Sequence, residues 1–295
     1  MPTKLGQNFL TNEEVAQKIT NSANIKGDNV LEIGSGRGIL TKYLAESAGK
    51  VLAVEIDQNL IELLKNKFHN TRTCHPRESG DPEKQRISQS RWIPHQVRDD
   101  KKRIQIIQSD ILKINLPKLI EENNFQKYKV VANLPYYITS KIIRLLLETK
   151  YPPSEMILMV QKEVGERIVA LDGKESILSI SVKFYAEPEI LFLVPRDNFE
   201  PAPEVDSVVI RIKRKSNPPE APACRTGRDA SKFFALVRAG FSAKRKMLVN
   251  NLASSFHIPK SEIAEIIKKI CLEPTVRAEK LDIQGWQKLY NIFYN

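Results

Sequence analysis

The stretch Gly34-Ser35-Gly36-Arg37-Gly38 constrains this chain more than any other. It follows a short apolar run, Val30-Leu31-Glu32-Ile33, and precedes a helical hydrophobic pattern over residues 39–48. Together these read as strand, tight turn and helix. Glycine lets a backbone turn this sharply and lets a ligand approach it closely. The G-x-G-x-G spacing departs from the G-x-G-x-x-G dinucleotide fingerprint, because Ile39 stands where its third glycine would be. A nicotinamide cofactor is therefore disfavoured. Taken alone, the turn is a weak signal, which a purely structural role would also explain.

A second apolar run, residues 51–56, is again followed by a helical pattern carrying Leu60, Ile61, Leu63, Leu64 and Phe68. Further strands are expected over residues 103–108, 128–132, 156–160, 190–194 and 208–213. Strands that alternate with helices imply an α/β fold around a doubly wound, mostly parallel sheet. Glu55 closes the second strand, at the carboxyl edge where such sheets bind ligands, and an acid there can accept hydrogen bonds from ribose hydroxyls. Asp110 ends the third strand and can accept from an adenine amino group. Gly34, Glu55 and Asp110 thus outline a nucleoside site.

The strand over residues 128–132 runs into Asn133-Leu134-Pro135-Tyr136, the most informative stretch of the chain. An exocyclic adenine amine is a poor nucleophile, because its lone pair is delocalised into the ring. The Asn133 side-chain oxygen and the Leu134 carbonyl can accept its two hydrogens, favouring a pyramidal nitrogen aimed at an electrophilic methyl. Pro135 fixes the backbone and brings no competing donor. Tyr136 offers a face for a base that has left its stack. The plainer alternative is a proline turn with packed aromatics.

Charge adds a partner. The net charge is +11, and residues 211–250 hold eleven Lys or Arg against Glu220 and Asp229. Such a run is either a solvated face or a polyanion-binding surface, and the size of the excess suits counterion release from nucleic acid. Residues 216–229, with Pro218, Pro219, Pro222 and Gly227, read as a linker. It is expected to divide a domain of residues 1–215 from a helical, RNA-binding one of residues 216–295, with helical patterns over 232–256, 261–271 and 282–293. Residues 72–102 lack any apolar period and read as an inserted surface loop, passive or RNA-touching.

Cys74, Cys224 and Cys271 are too widely spaced for a metal-ligand pair or a disulfide framework, even with His75 and His95 considered, so no metal is expected. No apolar run approaches the roughly 18 residues needed to cross a bilayer, and no secretory core is visible at the start. A cytoplasmic monomer without membrane contact is the expectation.

The whole pattern resembles the small-subunit (16S) ribosomal RNA adenine N6,N6-dimethyltransferase family, the kasugamycin-sensitivity methyltransferases. The resemblance rests on residues 5–10 (Leu-Gly-Gln-Asn-Phe-Leu), 32–36 (Glu-Ile-Gly-Ser-Gly), 133–136, 161–163 (Gln-Lys-Glu), 199–207 (Phe-Glu-Pro-Ala-Pro-Glu-Val-Asp-Ser), 244–246 (Lys-Arg-Lys) and 277–281 (Arg-Ala-Glu-Lys-Leu). It implies a Rossmann-like class I fold with S-adenosyl-L-methionine as cofactor, held by Asn8, Leu10, Gly34, Glu55, Asp110 and Asn133. It implies that Phe199 faces Tyr136 across the target base, although Phe199 is also a plausible core residue, and that Arg238, Lys244, Arg245 and Lys246 bind RNA. The implied reaction dimethylates two adjacent adenines in the 3′-terminal hairpin loop of 16S rRNA, late in small-subunit biogenesis.

Three features depart from the family pattern: Tyr137 where Asn is frequent, Lys244 where Arg is frequent, and residues 72–102. Lysine lacks arginine's bidentate fork, so phosphate contacts from that expected helix would be weaker. Competing readings are the large-subunit adenine methyltransferases of macrolide resistance, a non-catalytic ribosome-assembly or transcription factor, and a methyltransferase acting on protein glutamine or DNA.

Overall fold

The computed structural model describes residues 7–69, 103–216 and 227–294. The loop expected over 72–102, most of the linker, Cys74, His75, His95, Cys224, Leu5 and Gly6 lie outside these residues. The chain runs β1 (Phe9–Leu10), α1 (Glu13–Ala23), β2 (Asn29–Ile33), α2 (Ile39–Ser47), β3 (Lys50–Glu55), α3 (Gln58–His69), β4 (Ile104–Gln108), α4 (Leu116–Glu122), β5 (Lys129–Asn133), α5 (Thr139–Glu148), β6 (Glu155–Gln161), α6 (Lys162–Val169), α7 (Ile177–Tyr185), β7 (Ala186–Val194), β8 (Phe199–Glu200) and β9 (Ser207–Arg214). Four further helices follow: α8 (Gly227–Gly240), α9 (Leu248–Phe256), α10 (Lys260–Lys269) and α11 (Ile283–Tyr294).

Seven strands form one sheet in the order β4-β3-β2-β5-β6-β9-β7. The first five are mutually parallel, and β9 lies antiparallel between β6 and β7. The chain leaves β2 towards β3 and β4, then returns to the other side of β2 as β5. That reversal opens a crevice at the carboxyl ends of β2 and β5, where ligands bind in such sheets.

Period-two alternation explains why these strands are almost wholly apolar. Leu31, Ile33, Val130 and Ala132 pack on one face with Ile142, Ile143 and Leu146 of α5. Val30, Val51 and Val131 pack on the other with Ala16 and Ile19 of α1 and Leu44 of α2. A parallel sheet covered on both faces requires such continuous runs. Local signals start the helices: Asn12 accepts from the Glu14 and Val15 amides at the head of α1, and Ser176 with Ser179 forms a capping box on α7.

The C-terminal helices gather a second core around Phe233, Leu252, Ile263, Trp286 and Leu289, which includes Ile180 and Phe184 of α7. Phe184 packs its ring against Phe233 and Phe234 at centroid distances of 4.7 and 5.2 Å. The helical pattern expected over 232–256 is broken, however, between Gly240 and Leu248. Gly240 sits directly on the Trp286 ring, where an added Cβ would lie 2.3 Å from Cη2. The Asn251 side chain donates to the Gly240 and Ala243 carbonyls at 2.6 and 3.1 Å, ending α8 and folding the next residues into a turn. Lys244, Arg245 and Lys246 therefore stand on that turn and not on a helix, which corrects the sequence expectation.

Candidate active site

The glycine turn after β2 has φ of +73°, +54° and +76° at Gly34, Gly36 and Gly38, all left-handed. Gly38 is the most restricted, since a Cβ there would approach Leu64 Cδ2 to 2.7 Å and Phe68 Cε2 to 3.1 Å. The turn is tied to the end of β3. Gly34 N–H donates to the Val54 carbonyl at 2.8 Å, and Gly36 N–H donates to Glu55 Oε2 at 2.9 Å. Glu55 Oε1 accepts from the Ile56 and Asp57 amides at 2.8 and 3.0 Å, so a carboxylate only 3% exposed is held in place by three backbone donors.

Two cavities open on this crevice and share Gln7, Gly34, Glu55 and Pro135 in their walls. Asn8, Leu10, Glu32, Ser35, Arg37, Asn133, Leu134 and Tyr136 line the first. Ile33, Val54, Ile56, Ile111, Leu112, Tyr137 and Ile138 line the second, with Ser109 and Asp110 as its further polar members. Asp110 Oδ1 accepts from the Leu112 amide at 2.9 Å, which orients the carboxylate.

Asn133 ends β5, and its Nδ2 donates to the Asn8 carbonyl at 3.4 Å, while Oδ1 carries no hydrogen bond among the described residues. The Leu134 amide donates to the Met159 carbonyl at 3.1 Å, anchoring the turn to β6. Thr139 Oγ1 and the Ile138 amide both donate to the Pro135 carbonyl, at 3.1 and 3.2 Å. The Tyr136 hydroxyl shares a 2.9 Å hydrogen bond with Ser207 Oγ, which fixes the ring, and burial pushes its phenol above the usual range.

The N-terminal segment lines the first cavity through Gln7, Asn8, Phe9 and Leu10. β1 pairs antiparallel with β8, placing Leu10 opposite Phe199. Arg37 adds an ion pair to Glu200 at 2.6 Å and lies 4.7 Å over the Phe9 ring. Phe199 itself is 5% exposed, packed in the core beside Leu10 and absent from both cavity walls. Tyr136 and Phe199 thus do not face one another across the cavity. The β1–β8 ladder draws Phe199 inward instead.

Lys244, Arg245 and Lys246 are exposed and line a cleft of about 960 Å³, as do Arg167, Lys174 and Arg277. Glu163, Glu166, Asp172, Glu175 and Glu279 supply acidic groups to the same cleft. Arg238 is exposed on α8, outside it.

Sequence reasoning passed over Glu32, which it absorbed into an apolar run. The residue is 1% exposed in the central strand, with Oε2 accepting from Thr41 Oγ1 at 2.7 Å. Burial pushes its carboxyl up to about 7, partly offset by the Thr41 hydroxyl, with nearby Glu55 adding to the rise. An acid interrupting a buried strand was the available signal, because an isolated buried charge is costly.

A stability effect follows from linkage. Unfolded, Glu32 ionises near 4.5; folded, it keeps its proton up to about pH 7, so native stability falls as pH rises through that window. Glu32→Gln removes the titration. The variant is expected to gain on the native protein by up to about 3 kcal/mol between the two pH limits. Paired thermal melts from pH 4.5 to 8 measure this, and a constant difference would refute it.

Comparison with known proteins decides the family. The model of the ribosomal RNA adenine dimethylase family matches residues 1–76 and 91–295. The chain belongs to that family. Residues 77–90 fall outside the match, within the segment read as an insertion. It is 38% identical over 286 residues to ribosomal RNA small subunit methyltransferase A of Dehalococcoides mccartyi, covering 97% of this chain and 86% of the relative. It is also 38% identical over 293 residues to the Fusobacterium nucleatum protein of the same name, covering 98% and 96%.

Among solved structures, a Plasmodium falciparum dimethyladenosine transferase aligns with TM-score 0.70 at 25% identity over 95% of each chain. The 23S rRNA methyltransferase ErmE aligns with TM-score 0.69 at 22% identity, covering 98% of this chain and 100% of its own, a likeness of fold. The fold is the Rossmann-like class I methyltransferase fold, and this family member is a methyltransferase dependent on S-adenosylmethionine. No helix among the described residues is long and apolar enough to cross a membrane.

Proposed function

We propose that this protein transfers methyl groups from S-adenosyl-L-methionine to N6 of two adjacent adenines in the 3′-terminal hairpin loop of 16S rRNA. It does so on small ribosomal subunits late in their assembly, as a monomer in the cytoplasm. The observation that carries the reading is the Asn133 amide at the end of β5, tethered through Nδ2 to Asn8 with Oδ1 left to accept, on a cavity that Tyr136 also lines.

The residues present fit the cofactor. A left-handed glycine turn lets backbone approach a ligand, and the buried Ser35 lines the first cavity beside it. Glu55 sits where a ribose is held in this fold, and Asp110 borders an apolar space suited to a purine. Asn8, Leu10 and Gly34 complete the enclosure, and Glu32 gives the first cavity an acid. When bound, S-adenosylmethionine supplies an electrophilic methyl group.

The chain's own residues do the rest. Asn133 Oδ1 and the Leu134 carbonyl accept the two hydrogens of the target amine and turn its lone pair out of the ring. Tyr136 stacks the base that has left the RNA, worth roughly 1–3 kcal/mol. Acceleration comes from orientation and from acceptors placed in advance, with no covalent enzyme intermediate.

RNA contact is assigned to Arg238, Lys244, Arg245 and Lys246, which are exposed cations. Replacing 244–246 together by alanine is expected to weaken binding to small subunits and to lower the slope of log affinity against log salt by about 2. Filter binding across a salt series measures it, and an unchanged slope would remove that turn from the interface.

The function itself is tested by supplying labelled cofactor to undermethylated small and large subunits, and to small-subunit precursors taken at successive stages of assembly. Nucleoside mass analysis should find N6,N6-dimethyladenosine in the small subunit, strongest in late precursors. Label confined to the large subunit would overturn the proposal.

A further inference from the structure

We propose that Tyr137 is a positioning residue for the cofactor, its ring closing over the adenine moiety while Ile56 closes the rim beside it. This rests on the reading above that the second cavity holds the cofactor's purine. Consecutive residues of one turn are divided between the two cavities: Tyr136 lines the first and Tyr137 the second. The first cavity, for the base that receives the methyl group, also has Phe9 in its wall, whereas Tyr137 is the one aromatic residue lining the second, for the base of the donor.

The rings differ in how they are held. Tyr136 is fastened through its hydroxyl to Ser207, whereas the Tyr137 hydroxyl has no hydrogen-bond partner among the described residues and the residue is 65% exposed. Ile56, directly after Glu55, lines the same cavity and is 48% exposed. Two large apolar side chains left in water at the rim of one apolar cavity gain by covering a flat ring, and offset stacking favours an aromatic over a small amide. The backbone that presents Tyr137 is fixed, since the Pro135 carbonyl accepts from both the Ile138 amide and Thr139 Oγ1. Ser109 and Asp110 on the same cavity leave a polar edge for the purine's amino group.

The test uses the full chain with S-adenosylhomocysteine as ligand in calorimetric titrations of the native protein and of Tyr137→Phe, Tyr137→Asn and Tyr137→Ala. Phenylalanine should bind within about twofold of native, while asparagine and alanine should weaken binding roughly three- to tenfold, the range expected from loss of one aromatic stack. In methylation assays the last two should raise the cofactor KM in proportion with kcat little changed, because the acceptor groups at Asn133 and Leu134 are untouched. Affinity for small subunits should stay at the native level.

Equal cofactor affinity in all four proteins would overturn the inference. A loss in Tyr137→Phe as large as in Tyr137→Ala would overturn the stacking argument. A loss of subunit binding with unchanged cofactor binding would assign the ring to RNA instead. Should the native chain itself fail to bind S-adenosylhomocysteine, the broader reading of the cavities falls, whereas native binding indifferent to position 137 sinks this inference alone.

Discussion

Asn133→Ala is expected to lower methyl transfer by at least on the order of 10²- to 10³-fold, the usual cost of deleting one acceptor or donor aimed at a developing charge. The side chain stands at the carboxyl end of β5, where Nδ2 is spent on the Asn8 carbonyl and Oδ1 remains to accept. Without it, one amine hydrogen loses its acceptor and the lone pair stays conjugated with the ring. Binding to small subunits should change little, because the exposed cations lie elsewhere. Single-turnover methylation with saturating cofactor, alongside subunit binding, separates the two quantities. Native activity in the variant would remove the catalytic assignment, and loss of both together would point to a structural role for the Asn8 tether.

Trp286→Ala should cost about 3–5 kcal/mol of stability, as large aromatic truncations in well-packed cores do. Trp286 is fully buried, stacks on Phe241 at 5.7 Å and supports Gly240 at the end of α8. Its indole nitrogen has no hydrogen-bond partner among the described residues, so the loss is one of packing. The effect should reach the turn of residues 241–247, because Gly240 and Asn251 both position it. Denaturant titration measures the stability change. Relative to the native protein, the variant should lose more affinity for small subunits than for S-adenosylhomocysteine, since none of the residues lining the two cavities belongs to the helical core. A loss below about 1 kcal/mol would mean that the helices repack around the gap.

Much of the α/β framework was legible because its signals are local. Continuous apolar runs mark β2, β3, β5 and β6, and their alternation with amphipathic helices implies a parallel sheet. The glycine turn was legible because left-handed backbone selects glycine, and Glu55 because its place at a strand end is a matter of spacing. Less legible was whatever depends on what packs against what. The run over 232–256 carries a continuous helical pattern, yet α8 stops at Gly240, which meets Trp286 from far along the chain and whose carbonyl accepts from Asn251. Nothing near Lys244 announces that contact.

Phe199 shows the same division at the site. Its motif suggested an aromatic face opposite Tyr136, whereas the two-residue ladder between β1 and β8, far apart in sequence, draws the ring into the core. Glu32 was invisible for the opposite reason. One acid in an apolar run looks incidental until both sheet faces are covered and its carboxyl is found on a cavity, at a pKa of about 7.

By itself, then, the sequence determined the alternation of elements, the glycine turn, the acids at the strand ends and the amide-proline turn after β5, because each follows from short-range sterics and hydrogen bonding. Only the tertiary structure decided the pairing of β1 with β8, the break between α8 and α9, the upward shift of the Glu32 carboxyl and the division of Tyr136 and Tyr137 between two cavities. Those depend on desolvation and on contacts between segments distant in the chain, which no local pattern encodes.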